Sequence, residues 1–259
     1  MGTSTVIVTG ASRGIGAATA RWASRLGANV VLFARSKDGL DSVAAEIQRS
    51  GGPAFGVAGD IRQPRDCQRL IEFALDRFGT IEGLVNNAGI VGPIGSVAEG
   101  DLEAWRQNWE INVLGPVRLT QMAIPHLRQS AGRIINISSG FAITPVPGLA
   151  AYCTAKAALN HFTRVLAEEE TSITALSFRP GAVDTVLQQE IRKQADTSPS
   201  KPGVQIGPGQ FNGGNLLSPE VPGQIIAVLA LHAPHGWNGD FLSWNDERVQ
   251  ELVKQYLPS

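Results

Sequence analysis

Charge of either sign is scarce in this sequence. Only 17% of its 259 residues are Asp, Glu, Lys or Arg, and 22 basic against 23 acidic side chains leave a formal net charge of −1. So even a balance excludes the cationic surface that grips nucleic acid or an anionic membrane. Cysteine is almost missing: Cys67 and Cys153 stand apart, without the spacing of a metal site or a redox pair. Two isolated thiols fit a reducing compartment, and a cytoplasmic location is expected. The four histidines, His126, His161, His232 and His235, form no ligand pattern, so no metal is expected. No apolar run approaches the ~18 residues of a membrane helix. The strand-like "STVIVTG" starts at Ser4, leaving no room for a secretory leader. Met1-Gly2 lacks the Ser or Thr that myristoylation wants at the sixth position, where Val6 stands. The sequon Asn136-Ile137-Ser138 falls inside a core-strand pattern and is read as accidental.

What is there is ordinary for a soluble globular chain, with 43% hydrophobic residues. Apolar runs at 5–9, 29–34, 54–58, 83–86, 133–138, 173–178 and 240–243 read as strands. Helical patterns lie between them, at 14–26, 38–50, 64–78, 102–129, 151–169 and 219–232, with a further helix at 246–256. Continuous apolar strands alternating with helices imply a parallel sheet covered on both faces. Right-handed crossovers then make it doubly wound, with ligands at the carboxyl ends of the strands. The expected fold is therefore a single α/β domain over 1–259 with about seven parallel strands. One stretch breaks the rhythm: 195–214, "ADTSPSKPGVQIGPGQFNGG", is dense in Gly, Pro and Ser. A long loop inside a compact domain is functional or disordered more often than not. It is read as a lid, within a loop spanning 186–217.

The first strand runs into "TGASRGIG". Gly10 permits a tight turn, Gly14 lets the backbone approach a pyrophosphate, and Gly16 lets the following helix pack close. Between a first strand and a first helix, such a loop predicts a dinucleotide in a Rossmann fold, with Ser12, Arg13 and Ile15 completing the cradle. The second strand, "NVVLFARS", ends on Ala34 and Arg35. A carboxylate at 34 would hydrogen-bond the ribose 2′-hydroxyl of NAD and repel the 2′-phosphate of NADP. Ala34 removes that repulsion, Arg35 and Arg13 offer charge-assisted bonds to a phosphate, and Ser36 adds a hydroxyl. The cofactor reads as NADP(H).

The glycine spacing, Gly-x-x-x-Gly-x-Gly, is followed by "NNAG" at 86–89, Ser139 thirteen residues before Tyr152, "YCTAK" at 152–156 and "PGAVDT" at 180–185. In this order the five motifs resemble the short-chain dehydrogenase/reductase family, and the resemblance runs to about residue 245. It implies a catalytic tetrad of Asn112, Ser139, Tyr152 and Lys156. Tyr152 would be the general acid, Ser139 a donor to the substrate oxygen, and Asn112 the holder of a water relaying protons to Lys156. Lys156 lies one helical turn from Tyr152, on the same face. Its ammonium is expected to bring the phenol down from its free pKa near ~10. The resemblance also assigns Asp60 and Ile61 to the adenine, and Asn87, Ala88 and Gly89 to the nicotinamide-side ribose, with Lys156 on the ribose hydroxyls beside Tyr152. Pro180, Gly181, Val183 and Thr185 go to the carboxamide end. Asn86 has a plainer role open to it, stabilising the end of the sheet.

The tail departs from the family's common form. With "SPEVPG" and "VDTVLQQEIR", it resembles the branch holding sepiapterin reductases and the benzil reductases of yeasts and bacilli. A homodimer through the helices at 102–129 and 151–169 is expected, a tetramer remaining open. Positions expected to face the substrate are Ile90, Phe141, Ile143, Val146, Leu149, Val183 and Leu187. Asp246 either anchors substrate or, preferably, caps the last helix. The resulting expectation is an NADPH-dependent carbonyl reductase for bulky or aromatic ketones and vicinal dicarbonyls. An NAD-dependent alcohol dehydrogenase and a non-catalytic NADP sensor are the alternatives.

Overall fold

A computed structural model describes residues 3–190 and 216–257. The apolar runs form seven strands: β1 Thr5–Thr9, β2 Asn29–Ala34, β3 Ala54–Ala58, β4 Gly83–Asn86, β5 Arg133–Ile137, β6 Thr174–Arg179 and β7 Phe241–Ser243. Each neighbouring pair is parallel, in the order β3-β2-β1-β4-β5-β6-β7. Alternate residues of one strand serve opposite cores. Val6 and Val8 face a cluster with Ala17, Ala20, Ile226 and Val253, whereas Ile7 faces Leu70, Leu119 and Leu166. Hence both faces are covered, as continuous apolar strands require.

The helices are α1 Gly14–Arg25, α2 Lys37–Arg49, α3 Pro64–Phe78, α4 Leu102–Trp109, α5 Gly115–Ser130, α6 Ala150–Glu169, α7 Glu220–His232 and α8 Glu247–Tyr256. Strand order reverses direction between β1 and β4, which opens a crevice at their carboxyl ends. Among the described residues no helix is long and apolar enough to cross a membrane. The proposed lid at 195–214 lies outside the described residues.

One expectation is corrected. The single helix read at 102–129 is split by a π-helical turn, Glu110–Leu114, between α4 and α5. The extra residue in that turn is compensated by side-chain bonds. Asn112 donates to the Ile90 carbonyl at 2.8 Å and to Asn108 Oδ1 at 2.9 Å, and accepts from the Ile90 N–H at 3.1 Å. Asn108 in turn donates to the Gly92 carbonyl at 2.6 Å. Such π-turns mark functional sites more often than chance. The sequon asparagine is interior: Asn136 is fully buried, accepting from Asn86 Nδ2 and donating to Thr163 Oγ1, each at 2.8 Å.

Candidate active site

The crevice is a cleft of about 820 Å³. Its floor at one end is the glycine loop. Gly10 takes φ +65°, and a Cβ there would sit 2.9 Å from Asn87 Nδ2; a Cβ on Gly16 would sit 2.4 Å from the Gly10 carbonyl oxygen. Only glycine tolerates the first conformation cheaply, and only a hydrogen fits the second. The loop is stitched to the end of β4. Thr9 Oγ1 accepts the N–H groups of Asn87 and Ala88, both at 3.0 Å, while Asn87 Nδ2 donates to the Thr9 carbonyl at 2.8 Å. Asn86, just before, bonds across the sheet, as its plainer reading held.

Helix α1 begins here with no side-chain cap on Arg13 and no acid in its first turn. Its first N–H groups are therefore orphans beside the cleft, a ready site for an anion such as a pyrophosphate. Ser12, Arg13, Gly14 and Ile15 line that end, and Arg35, Ser36, Asp60 and Ile61 continue the wall. Arg13 and Arg35 are exposed, and among the described residues neither is within ion-pair distance of a carboxylate. Ser36 is committed as the cap of α2, its Oγ accepting from the Gly39 N–H. Asp60 is gripped by Arg62, whose Nε donates at 3.0 and 3.1 Å to its two oxygens. That bond, with Arg35 adding attraction, holds the Asp60 carboxyl below the usual range. Two guanidiniums without an ion pair among the described residues, and an uncapped helix end, fit a phosphate-rich dinucleotide.

At the other end stand Ser139, Tyr152 and Lys156, with Asn87, Ala88, Gly89, Pro180, Gly181, Val183 and Thr185 along the same cleft. Ser139 ends the turn after β5, where its Oγ accepts from the Phe141 N–H at 3.2 Å. Tyr152 is 7% and Lys156 4% exposed. Lys156 Nζ donates to the Ile137 carbonyl at 2.8 Å and lies 5.6 Å from the Tyr152 ring centroid. Burial pushes the Tyr152 hydroxyl up to about 12, against a lowering hydrogen bond with Ser139. Burial likewise pulls Lys156 down to about 8. Burial thus opposes the lowering of the phenol expected from the lysine, because losing water disfavours the charged form of each group. Asn112 is close by: a Cβ on Gly89 would fall 2.7 Å from Asn112 Oδ1 and 3.7 Å from Lys156 Nζ. Its amide clamps the Ile90 backbone rather than bonding the lysine.

The substrate positions divide. Ile90, Phe141, Val183 and Leu187 line the cleft. Val146 and Leu149 instead pack beneath it with Val91 and Tyr152. Ile143 is 66% exposed and outside the lining. Asp246 is also outside: it caps α8, accepting from the Arg248 N–H at 3.0 Å, and pairs with the Arg248 side chain. Asp246 thus takes the cap, the preferred of its two readings. Arg179, Gln188, Trp244 and Asn245 do line the cleft and escaped the sequence reading. Only the position of Arg179, directly before the "PG" of "PGAVDT", was there to flag it.

Comparison with known proteins agrees with this geometry. The short chain dehydrogenase family pattern matches residues 4–196. An uncharacterized oxidoreductase of Saccharomyces cerevisiae is 34% identical over 252 residues, covering 96% of this chain and 98% of that protein. Its crystal structure superposes with a TM-score of 0.88, covering 96% and 99% of the two chains. Benzil reductase ((S)-benzoin forming) of the same yeast is 32% identical over 257 residues, covering 94% and 97%. A variant actinorhodin polyketide ketoreductase solved with NADPH has a TM-score of 0.85 at 27% identity, covering 94% and 97%. With the glycine loop, the seven-stranded sheet and the Ser139–Tyr152–Lys156 grouping in place, this chain belongs to the short chain dehydrogenase family and is an oxidoreductase.

Proposed function

We propose that this oxidoreductase is an NADPH-dependent carbonyl reductase acting on bulky or aromatic ketones and vicinal diketones. The observation that carries the reading is the meeting of Ser139, Tyr152 and Lys156 in one cleft with the open N-terminus of α1. A bound NADPH supplies the hydride. The first turn of α1 holds its pyrophosphate, Arg13 and Arg35 its 2′-phosphate, Asp60 and Ile61 its adenine, and Lys156, Val183 and Thr185 its nicotinamide half. The absence of an acid at 34 and the two unpaired arginines support NADP(H) over NAD(H). The ketoreductase solved with NADPH points the same way.

Ser139 donates its hydroxyl to the substrate carbonyl oxygen. Tyr152, whose proton burial favours, releases it to the developing alkoxide oxygen. The buried Lys156 ammonium then faces the tyrosinate left behind. Ile90, Phe141 and Leu187 select apolar bulk by buried area, at about 25 cal/mol per Å². The similarity to benzil reductase supports the diketone class. The chain pairs as a homodimer through α4, α5 and α6, a reading supported by the exposed Trp109, Leu114 and Val165 on those segments. It works in the cytoplasm, in keeping with the free thiols of Cys67 and Cys153. NADPH oxidation over a panel of aryl ketones, diketones and polyols tests the function. Turnover led by the aryl substrates is expected; complete inactivity favours a cofactor sensor, and a polyol leading tenfold defeats the apolar pocket.

A further inference from the structure

Arg179 ends β6 and lines the same cleft as Ser139 and Tyr152. Its arm runs along the backbone of Gly140: a Cβ there would fall 3.3 Å from Arg179 Cδ and 3.8 Å from Nη1. The guanidinium is thereby held against the residue that follows Ser139. Its direction is set by β7. Arg179 Nε donates at 3.2 Å to Ser243 Oγ, its own partner in the β6–β7 register, and that hydroxyl donates at 2.7 Å to Asn245 Oδ1. The bond occupies Nε alone. A guanidinium has only donors, and among the described residues those on Nη1 and Nη2 have no hydrogen-bond partner. Among the described residues no carboxylate lies within ion-pair distance of Arg179. Of the two acids lining the cleft, Asp60 is held by Arg62 and Asp184 makes no ion pair with Arg179.

Gln188 also lines this cleft, but its Nε2 is buried within the wall and, among the described residues, has no hydrogen-bond partner. Buried donors are rarely left unpaired unless something completes them. A cation fixed in the cleft beside Ser139, with no carboxylate on it among the described residues, calls for an acceptor-rich group. We propose that Arg179 is a specificity-determining residue that binds a substrate carboxylate. The favoured ketones are then bulky or aromatic 2-oxo acids, whose carboxylate adjoins the reacting carbonyl. This rests on the reading that Ser139 and Tyr152 hold that carbonyl. The apolar wall still disfavours short acids, which fill none of it. A neutral diketone offers Arg179 a weaker acceptor, because bonds to an ionised group are roughly twice as strong.

The test compares benzoylformate, its methyl ester and acetophenone with NADPH, and separately measures mandelate binding by calorimetry with NADP+ present. Wild type is expected to favour benzoylformate over acetophenone at least tenfold in kcat/KM, carried mainly by KM. In Arg179→Met that ratio collapses at least tenfold and mandelate weakens equally. Arg179→Lys, which keeps the charge but loses the fork, retains an intermediate preference and serves where the Met variant does not fold. An unchanged ratio, or no preference for the acid in wild type, overturns the proposal. So does a variant that loses NADPH affinity while mandelate binding stays constant, since Arg179 then serves the cofactor. If no ketone is reduced yet mandelate binding still depends on Arg179, the carboxylate site stands and the reductase reading falls.

Discussion

Lys156 holds its ammonium 5.6 Å from the centre of the Tyr152 ring, with one proton given to the Ile137 carbonyl. The two groups are buried together, and burial drives their pKa values apart, the phenol up to about 12 and the amine down to about 8. A phenol so raised holds its proton more tightly than a free one, and an amine so lowered holds its own less tightly.

Tyr152→Phe keeps the buried ring and removes the donor. Loss of general acid catalysis should lower kcat by ~10²–10⁴ with little change in melting temperature. Near-native turnover in a steady-state assay of this variant rules out Tyr152 as the acid.

Stability should carry the signature of Lys156. Its folded pKa lies below its ordinary 10.5, at about 8. Between those limits the unfolded chain binds the proton that the folded chain does not, so its contribution to stability is full above 10.5 and falls away as pH drops through 8. Lys156→Met abolishes this dependence. Urea unfolding of both proteins from pH 8 to 10.5 should show wild type gaining about 3 kcal/mol relative to the variant. Taking the difference cancels Tyr152 and the raised Cys67, which titrate in both proteins. Parallel curves would place the amine in water.

The paired variant Ala34→Asp with Arg35→Ile installs the missing acid and removes one of the two unpaired cations. NADPH binding should weaken by a few kcal/mol, and NADH binding should improve. Dissociation constants for both cofactors that do not move would take Arg35 out of the phosphate site.

Gly16→Ala drives a methyl into the Gly10 carbonyl and the Asn87 amide. The backbone cannot yield cheaply, so a loss of about 1–3 kcal/mol in stability is expected together with weaker cofactor binding. Gly95→Ala, where nothing lies within 4 Å of the new methyl, is the control. Equal melting temperatures for the two variants would show that the loop is looser than its contacts.

Asp246→Ala removes the cap of α8. A loss of about 0.5–2 kcal/mol is expected, with kcat/KM for every ketone retained. A substrate-selective fall in kcat/KM without loss of stability would return Asp246 to the cleft.

Strand order and the glycine loop were legible because each obeys a local rule. A parallel strand covered on both faces needs an unbroken apolar run, and Val30, Val31, Leu32 and Phe33 are such a run whatever surrounds them. The loop at Gly10–Gly16 is likewise demanded by backbone geometry, and Ala34 beside Arg35 announces its chemistry by the kind of charge alone. The split of the helix at 102–129 was invisible. A π-turn leaves the apolar period nearly intact, and the bonds of Asn112 and Asn108 to the backbone of Ile90 and Gly92, which help hold it, join segments far apart in the chain.

By itself, then, the sequence determined the alternation of strands and helices and the dinucleotide end of the cleft, which follow from residue type and short spacing. The Ser139–Tyr152–Lys156 group came from the family resemblance. Only the tertiary structure decided which side chains line the cleft. Val146 and Leu149 went under the cleft, Asp246 went to a helix cap, and Arg179 came in, because the β6–β7 register sets Ser243 beside it. It also decided the protonation of Tyr152 and Lys156. One helical turn places them on a common face, but how much water each loses depends on everything packed around α6.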